Sequence, residues 1–106
     1  MGTTKIERFT ARHNRLAAIA KALAHPARIA ILEVLIRRGT CVCGDIVDEI
    51  PLSQATVSQH LKAMKEVRLI KGEVEGKFSC YCVDQSACRE AQLLLGKLFD
   101  DVQKCC

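Results

Sequence analysis

Apolar side chains recur at helical spacing along most of the chain, with two short interruptions where the period drops to two. Between about residues 5 and 24, Leu16, Ile19, Ala20 and Leu23 form one stripe, which predicts a helix with a basic leading part. His25-Pro26 ends that pattern and restarts it, because proline is disfavoured inside a helix and suited to its first position. The next helix is expected to run to about Arg38, with Ile29, Leu32 and Ile36 sharing a face, Val34 and Leu35 alongside, and Gly39 as a left-handed cap. So wide an apolar belt suits the centre of a core.

Thr40-Cys41-Val42-Cys43 reads as a brief strand, and a short helix is expected from about Gly44 to Glu49. Pro51-Leu52-Ser53 then turns into a helix reaching Val67. Ser53 can cap it through its hydroxyl, and Val57, Leu61 and Met64 put an apolar stripe on one side. The opposite side carries Ala55, Ser58, Gln59, Lys62 and Glu66, with Gln54 and Thr56 at the open N-terminal end. Small hydroxyl and amide side chains stand where an ordinary solvated helix carries Glu and Lys, and they suit base edges and phosphates. His60 falls toward the apolar side, where a packed or hydrogen-bonded histidine is expected. Two short helices joined by a tight turn, the second with a polar outer face, form the helix-turn-helix pattern.

The alternating runs at 69–74 and 78–83, separated by Glu75-Gly76-Lys77, predict a β-hairpin in the position of a wing, about 69–83. A last helix, about 85–104, starts from Asp84 or Ser86 as cap. Its belt of Ala91, Leu94, Leu95, Leu98, Phe99 and Val102 is broader than one surface helix needs. Either the terminal helices, about 5–24 and 85–104, close the core of a monomer, or they pack across a two-fold axis in a homodimer; paired half-sites favour the homodimer.

At 106 residues the chain is long enough for a single domain, 1–106, mainly α with a small β-wing: a winged helix-turn-helix. A formal net charge of +4 favours a polyanionic partner such as double-stranded DNA. No apolar leader follows the early basic residues and no uncharged apolar run approaches membrane-spanning length, so a cytoplasmic protein without a membrane partner is expected. An enzyme is not expected: there is no Cys-x-x-Cys, no glycine-rich phosphate loop, and no histidine–carboxylate pair at catalytic spacing.

The order of elements resembles the ArsR/SmtB family of metal-responsive winged-helix repressors. The likeness rests on His25-Pro26-Ala27-Arg28-Ile29 with Ile31-Leu32 behind it, on Cys41-Val42-Cys43, on Leu52-Ser53-Gln54 with Val57-Ser58-Gln59-His60-Leu61, and on Leu69-Ile70 leading into a glycine-turned wing. It implies a dimer that leaves operator DNA when a metal or metalloid binds. It also matches Gln54, Ala55, Ser58 and Gln59 to positions that reach the major groove, the same four that helix geometry selects. Ser53, Thr56, Lys62 and, in the wing, Lys77 complete the candidate DNA-binding set; Glu73 and Glu75 beside Lys71 and Lys77 weaken the wing's claim on phosphate.

Seven cysteines in a reducing compartment are read as ligands or redox-active thiols rather than structural disulfides. Cys-x-Cys in an extended segment puts both sulfurs on one face, and this holds for Cys41 and Cys43 and for Cys80 and Cys82. In a winged helix the strand before the helix-turn-helix pairs with the second wing strand, so all four can stand side by side. Thiolate clusters select soft ions: trivalent arsenic or antimony with three sulfurs, cadmium, lead or zinc with up to four. The family's zinc and cobalt type uses histidines on the last helix, and none follows His60. Its arsenic type has a third cysteine one turn beyond Cys-Val-Cys, where this chain reads Gly44-Asp45-Ile46-Val47, so Cys80 or Cys82 must serve. Cys105 and Cys106 are the alternative metal ligands, and a redox or persulfide input at the same cysteines is the alternative signal. Cys88 is expected to be core or surface rather than ligand.

Overall fold

A computed structural model describes residues 8–39, 41–43, 49–73 and 80–105. Its elements are α1 (Ala11–Ala22), α2 (Pro26–Arg38), β1 (Val42–Cys43), α3 (Gln54–Glu66), β2 (Ile70–Glu73), β3 (Cys80–Val83) and α4 (Gln85–Cys105). The short helix expected over 44–49 falls almost wholly outside the described residues, as do the wing tip with Lys77 and residue Cys106.

Local chemistry explains where the helices begin. Residues 5–7 of the helix expected over about 5–24 lie outside the described residues, and α1 starts at Ala11, where Thr10 and His13 form a reciprocal cap. The Thr10 hydroxyl accepts from the His13 N–H at 3.1 Å, and His13 Nδ1 accepts from the Thr10 N–H at 3.4 Å. Histidine here takes the place usually held by Glu or Gln. α2 opens on Pro26 with the His25 ring accepting from the Ala27 N–H at 3.0 Å, and closes on Gly39 at φ 71°.

The face of α2 that enters the core differs from the expected one. Ile31, Val34 and Leu35 are buried, whereas Ile29 and Ile36 are 49% and 61% exposed and Leu32 is half-buried. α2 packs on α3 and β3, and with apolar residues all round its circumference those partners choose the inward side. Around these three collect Ile19 of α1, Val57, Leu61 and Met64 of α3, and Leu69, Ile70 and Tyr81 of the sheet region.

The sheet runs in the order β1-β3-β2, antiparallel throughout, so the last strand in sequence is the central one. Val42 faces Tyr81 across β1 and β3, and both are buried. Cys80 and Cys82, the neighbours of Tyr81 along β3, therefore turn to the other face. In β2, Gly72 lies opposite Tyr81 at φ 109°, and a Cβ there would run into the Cys80 backbone, which only glycine avoids. Arg68, at φ 69°, makes the left-handed step from α3 to β2, and the Leu69 N–H returns to the Met64 carbonyl at 3.0 Å.

α4 is fastened at its start. Asp84 donates its N–H to the Leu69 carbonyl at 2.9 Å, while its carboxylate accepts from the Ala87 N–H at 3.1 Å and the Ser86 hydroxyl at 3.2 Å. Ala87 and Ala91 are buried and Arg15 of α1 pairs with Glu90 at 2.9 Å, but Leu93, Leu98, Phe99 and Val102 remain exposed. No helix among the described residues is long and apolar enough to cross a membrane.

Candidate nucleic-acid interface and cysteine site

The polar side of α3 has the composition and exposure of a reading face. Gln54, Ala55, Gln59 and Lys62 are exposed and Thr56 and Ser58 half-buried, while Val57, Leu61 and Met64 face inward. At the open end, Ser53 Oγ accepts from the Thr56 N–H at 3.3 Å and lies 3.0 Å from the Thr56 hydroxyl. That cap fixes where the first turn begins, and so fixes how Gln54 and Ala55 are presented.

His60 lies on the inner side, as its position in the helix implies, and is buried. Its Nδ1 accepts from Arg28 Nε at 3.0 Å, and Arg28 Nη1 reaches the Ala22 carbonyl at 3.2 Å. The His25 ring stands 4.5 Å away, centroid to centroid. Burial, followed by the neighbouring His25 and Arg28, holds the His60 imidazole below its ordinary range. Sequence reasoning missed Arg28 and His25 as members of this joint. The signal was present in His25-Pro26-Ala27-Arg28, which puts a capping ring and a guanidinium on the same turn.

The cysteines come together much as the strand alternation requires. Cys41 and Cys82 form a disulfide, with Cα atoms 4.2 Å apart, although the sequence points to reduced thiols. Across the same strand pair, Cys43 stands opposite Cys80. The register continues onto β2, where Lys71 lies opposite Cys82 and Glu73 opposite Cys80. A cavity of about 600 Å³, lined in part by Cys41 and Cys82, opens between Leu35, Ile36 and Gly39 on one side and Lys71 and Gln85 on the other.

Cys80 is disulfide-bonded as well, and Cys88 and Cys105 are free thiols. Cys88 is half-buried with its S–H directed to the Leu69 carbonyl at 3.5 Å, and burial, then the Asp84 charge, pushes its thiol up. It is packed rather than reactive. Cys105 is exposed near the end of α4, its S–H on the Val102 carbonyl at 3.1 Å. Among the described residues no group of three or more His, Cys, Asp or Glu side chains is arranged to hold a metal ion. A disulfide has no thiolate to offer, so the donor set at Cys41 and Cys82 fits a soft ion only after reduction.

Comparison with known proteins agrees with the geometry. A helix-turn-helix domain profile matches residues 23–73. The uncharacterized HTH-type transcriptional regulator MJ1325 of Methanocaldococcus jannaschii is 33% identical over 88 residues, spanning 82% of this chain and 98% of its own. The arsenical resistance operon repressor of Bacillus subtilis is 40% identical over 62 residues, 58% of each chain. The solved structure of reduced HlyU from Vibrio cholerae shares the fold, with a TM-score of 0.61 at 23% identity over 85% of this chain and 92% of that one. Helix order, a three-stranded wing sheet, the polar-faced α3 and these relatives together make the chain a member of the ArsR/SmtB family of winged-helix transcriptional regulators.

Proposed function

We propose that this regulator is a repressor that binds operator DNA as a homodimer and releases it when trivalent arsenic or antimony is captured by cysteine thiolates. The observation that carries the reading is the β1–β3 register, with Cys41 joined to Cys82 and Cys43 opposite Cys80, immediately ahead of the helix-turn-helix and inside its wing. Ser53, Gln54, Ala55, Thr56, Ser58, Gln59 and Lys62 would meet the DNA, with Lys77 of the wing on phosphate. The exposed apolar residues of α4 support pairing of two copies. In the reduced chain, three of Cys41, Cys43, Cys80 and Cys82 suffice for trivalent arsenic, and all four suit cadmium, lead or zinc. Occupancy would pull β1 and β3 together beneath the wing and tilt the two reading helices away from half-site spacing. Coupling of about 1–3 kcal/mol, or roughly 5- to 150-fold in DNA affinity, is the usual size of such linkage.

A second reading has its own observation. The Cys41–Cys82 disulfide supports a redox or persulfide input at the same sulfurs.

One titration separates them. DNA affinity of the reduced protein is measured against arsenite, antimonite, cadmium, lead and zinc, then after oxidation, in the wild type and a Cys41→Ser/Cys43→Ser variant. A metalloid-induced fall that the variant abolishes supports the first reading, and a fall on oxidation alone supports the second. A variant that still responds fully moves the site to Cys105 and Cys106.

A further inference from the structure

The joint beneath α3 has a chemical requirement that its hydrogen bonds impose. An arginine Nε–H only donates, so the His60 Nδ1 it reaches at 3.0 Å must present a lone pair. The backbone N–H of Ala27, 3.0 Å from His25 Nδ1, makes the same demand of the second ring. Both imidazoles are thereby fixed as neutral rings carrying their proton on Nε2. A proton arriving on either Nδ1 meets a donor and breaks that bond. With the ring centroids 4.5 Å apart and the Arg28 guanidinium between α2 and α3, it also adds a cation beside a cation.

From this geometry we infer that Arg28, His25 and His60 are positioning residues for DNA reading, which hold the N-terminal end of α2 against α3 only while both histidines are neutral. The inference rests on the proposal that α3 reads DNA. The groups that face His60 are His25, ahead of α2, and Arg28 within it; on the other side of His25 is its own cap bond to Ala27. Three links connect the joint to the reading face. Arg28 reaches back to the Ala22 carbonyl at the end of α1, His60 shares α3 with Gln54, Ser58 and Gln59, and His25 sets where α2 starts. Acid therefore releases one side of α3 while its outer face keeps the same side chains. The direction is diagnostic. Added positive charge on a protein ordinarily strengthens its hold on phosphate, so loss of DNA on acidification is the opposite of the general electrostatic trend.

The test uses the reduced full chain and a duplex selected by it from a random library at pH 7.5, with affinity read by fluorescence anisotropy from pH 7.5 to 5.5 at constant salt. Asparagine is the informative replacement, since its Oδ1 occupies the Nδ1 position, accepts the same bond and does not titrate. Wild type is expected to lose about two- to threefold in affinity by pH 5.5, the fall setting in at the acid end of the range because the His60 ring is held below its ordinary value. The His25→Asn/His60→Asn variant is expected to keep its own pH 7.5 affinity unchanged down to pH 5.5, whatever its starting value, and His60→Leu to bind weakly at every pH. His13→Asn, which alters the α1 cap alone, follows wild type. A flat wild-type profile, or an asparagine variant that declines in parallel with wild type, overturns the inference. So does a nitrogen-15 spectrum that places the His60 proton on Nδ1 at pH 7.5. If no duplex is selected at all, the DNA-reading proposal for α3 fails, and the same spectrum still decides whether the joint is built as inferred.

Discussion

α3 and α4 are both amphipathic, yet they dispose of their apolar residues in opposite ways. α3 sends Val57, Leu61 and Met64 fully into the core and keeps a polar row outside. α4 buries Ala87 and Ala91 near its start and leaves Leu93, Leu98, Phe99 and Val102 exposed further along. The first helix is completed by its own chain. Among the described residues the second is not, and the difference separates residues that hold the fold from residues available for association.

The largest effect is expected on the closed side. Met64→Ala removes a side chain with no exposure and should cost about 2–5 kcal/mol in urea unfolding of the reduced protein, whatever the protein concentration. A loss below about 1 kcal/mol would mean that α3 is less firmly seated than its burial indicates. Next comes the open side: Leu98→Glu/Phe99→Glu should weaken self-association at least about tenfold by analytical ultracentrifugation, on the scale of a few buried apolar side chains. Helix content at low concentration should be unchanged. If association survives intact, the α4 belt is not the interface.

The smallest effect concerns the two caps. Ser53 caps α3 with a group that does not titrate, whereas Asp84 caps α4 with one that does. The Ala87 N–H, ahead of the other contacts, holds the Asp84 carboxyl below the usual carboxylate range. Its contribution is therefore complete above about pH 4, the ordinary aspartate value, and is lost as the pH falls through the lowered one. Thermal melts from pH 6 down to about 2.5 should decline less steeply in Asp84→Asn than in wild type. Parallel curves would assign the acid sensitivity elsewhere, with Glu49 next: its carboxyl is lowered by Arg38 first and then by Arg37.

Much of this contrast is legible in the residues themselves. Pro26, Gly39 and Ser53 mark helix ends by rules that need only a few neighbours, and the structure has them where those rules put them. The β1–β3 pairing follows from the winged-helix topology that the order of elements implies, and the inward turn of His60 from its position in the helix. Two things were hidden. α2 carries apolar side chains on every side, so its periodicity has no preferred phase, and tertiary packing selected Ile31, Val34 and Leu35. The start of α1 depends on a histidine filling an acidic residue's role, a substitution that the capping pattern does not signal. For the candidate site, alternation paired the cysteine positions of β1 and β3 but could not say which of them would bond, because that depends on how β1 slides along β3.

The sheet order also has a consequence in time. β3 is made last and inserts between β1 and β2, and the bond from Cys41 to Cys82 closes 41 residues of chain. During synthesis, a ribosome-bound chain that has completed the helix-turn-helix still lacks the strand that organises both cysteine pairs. On the proposed function, the DNA-contacting helix and the cysteine site would thus be completed at different times, the helix-turn-helix first and the paired cysteines only once β3 has been made.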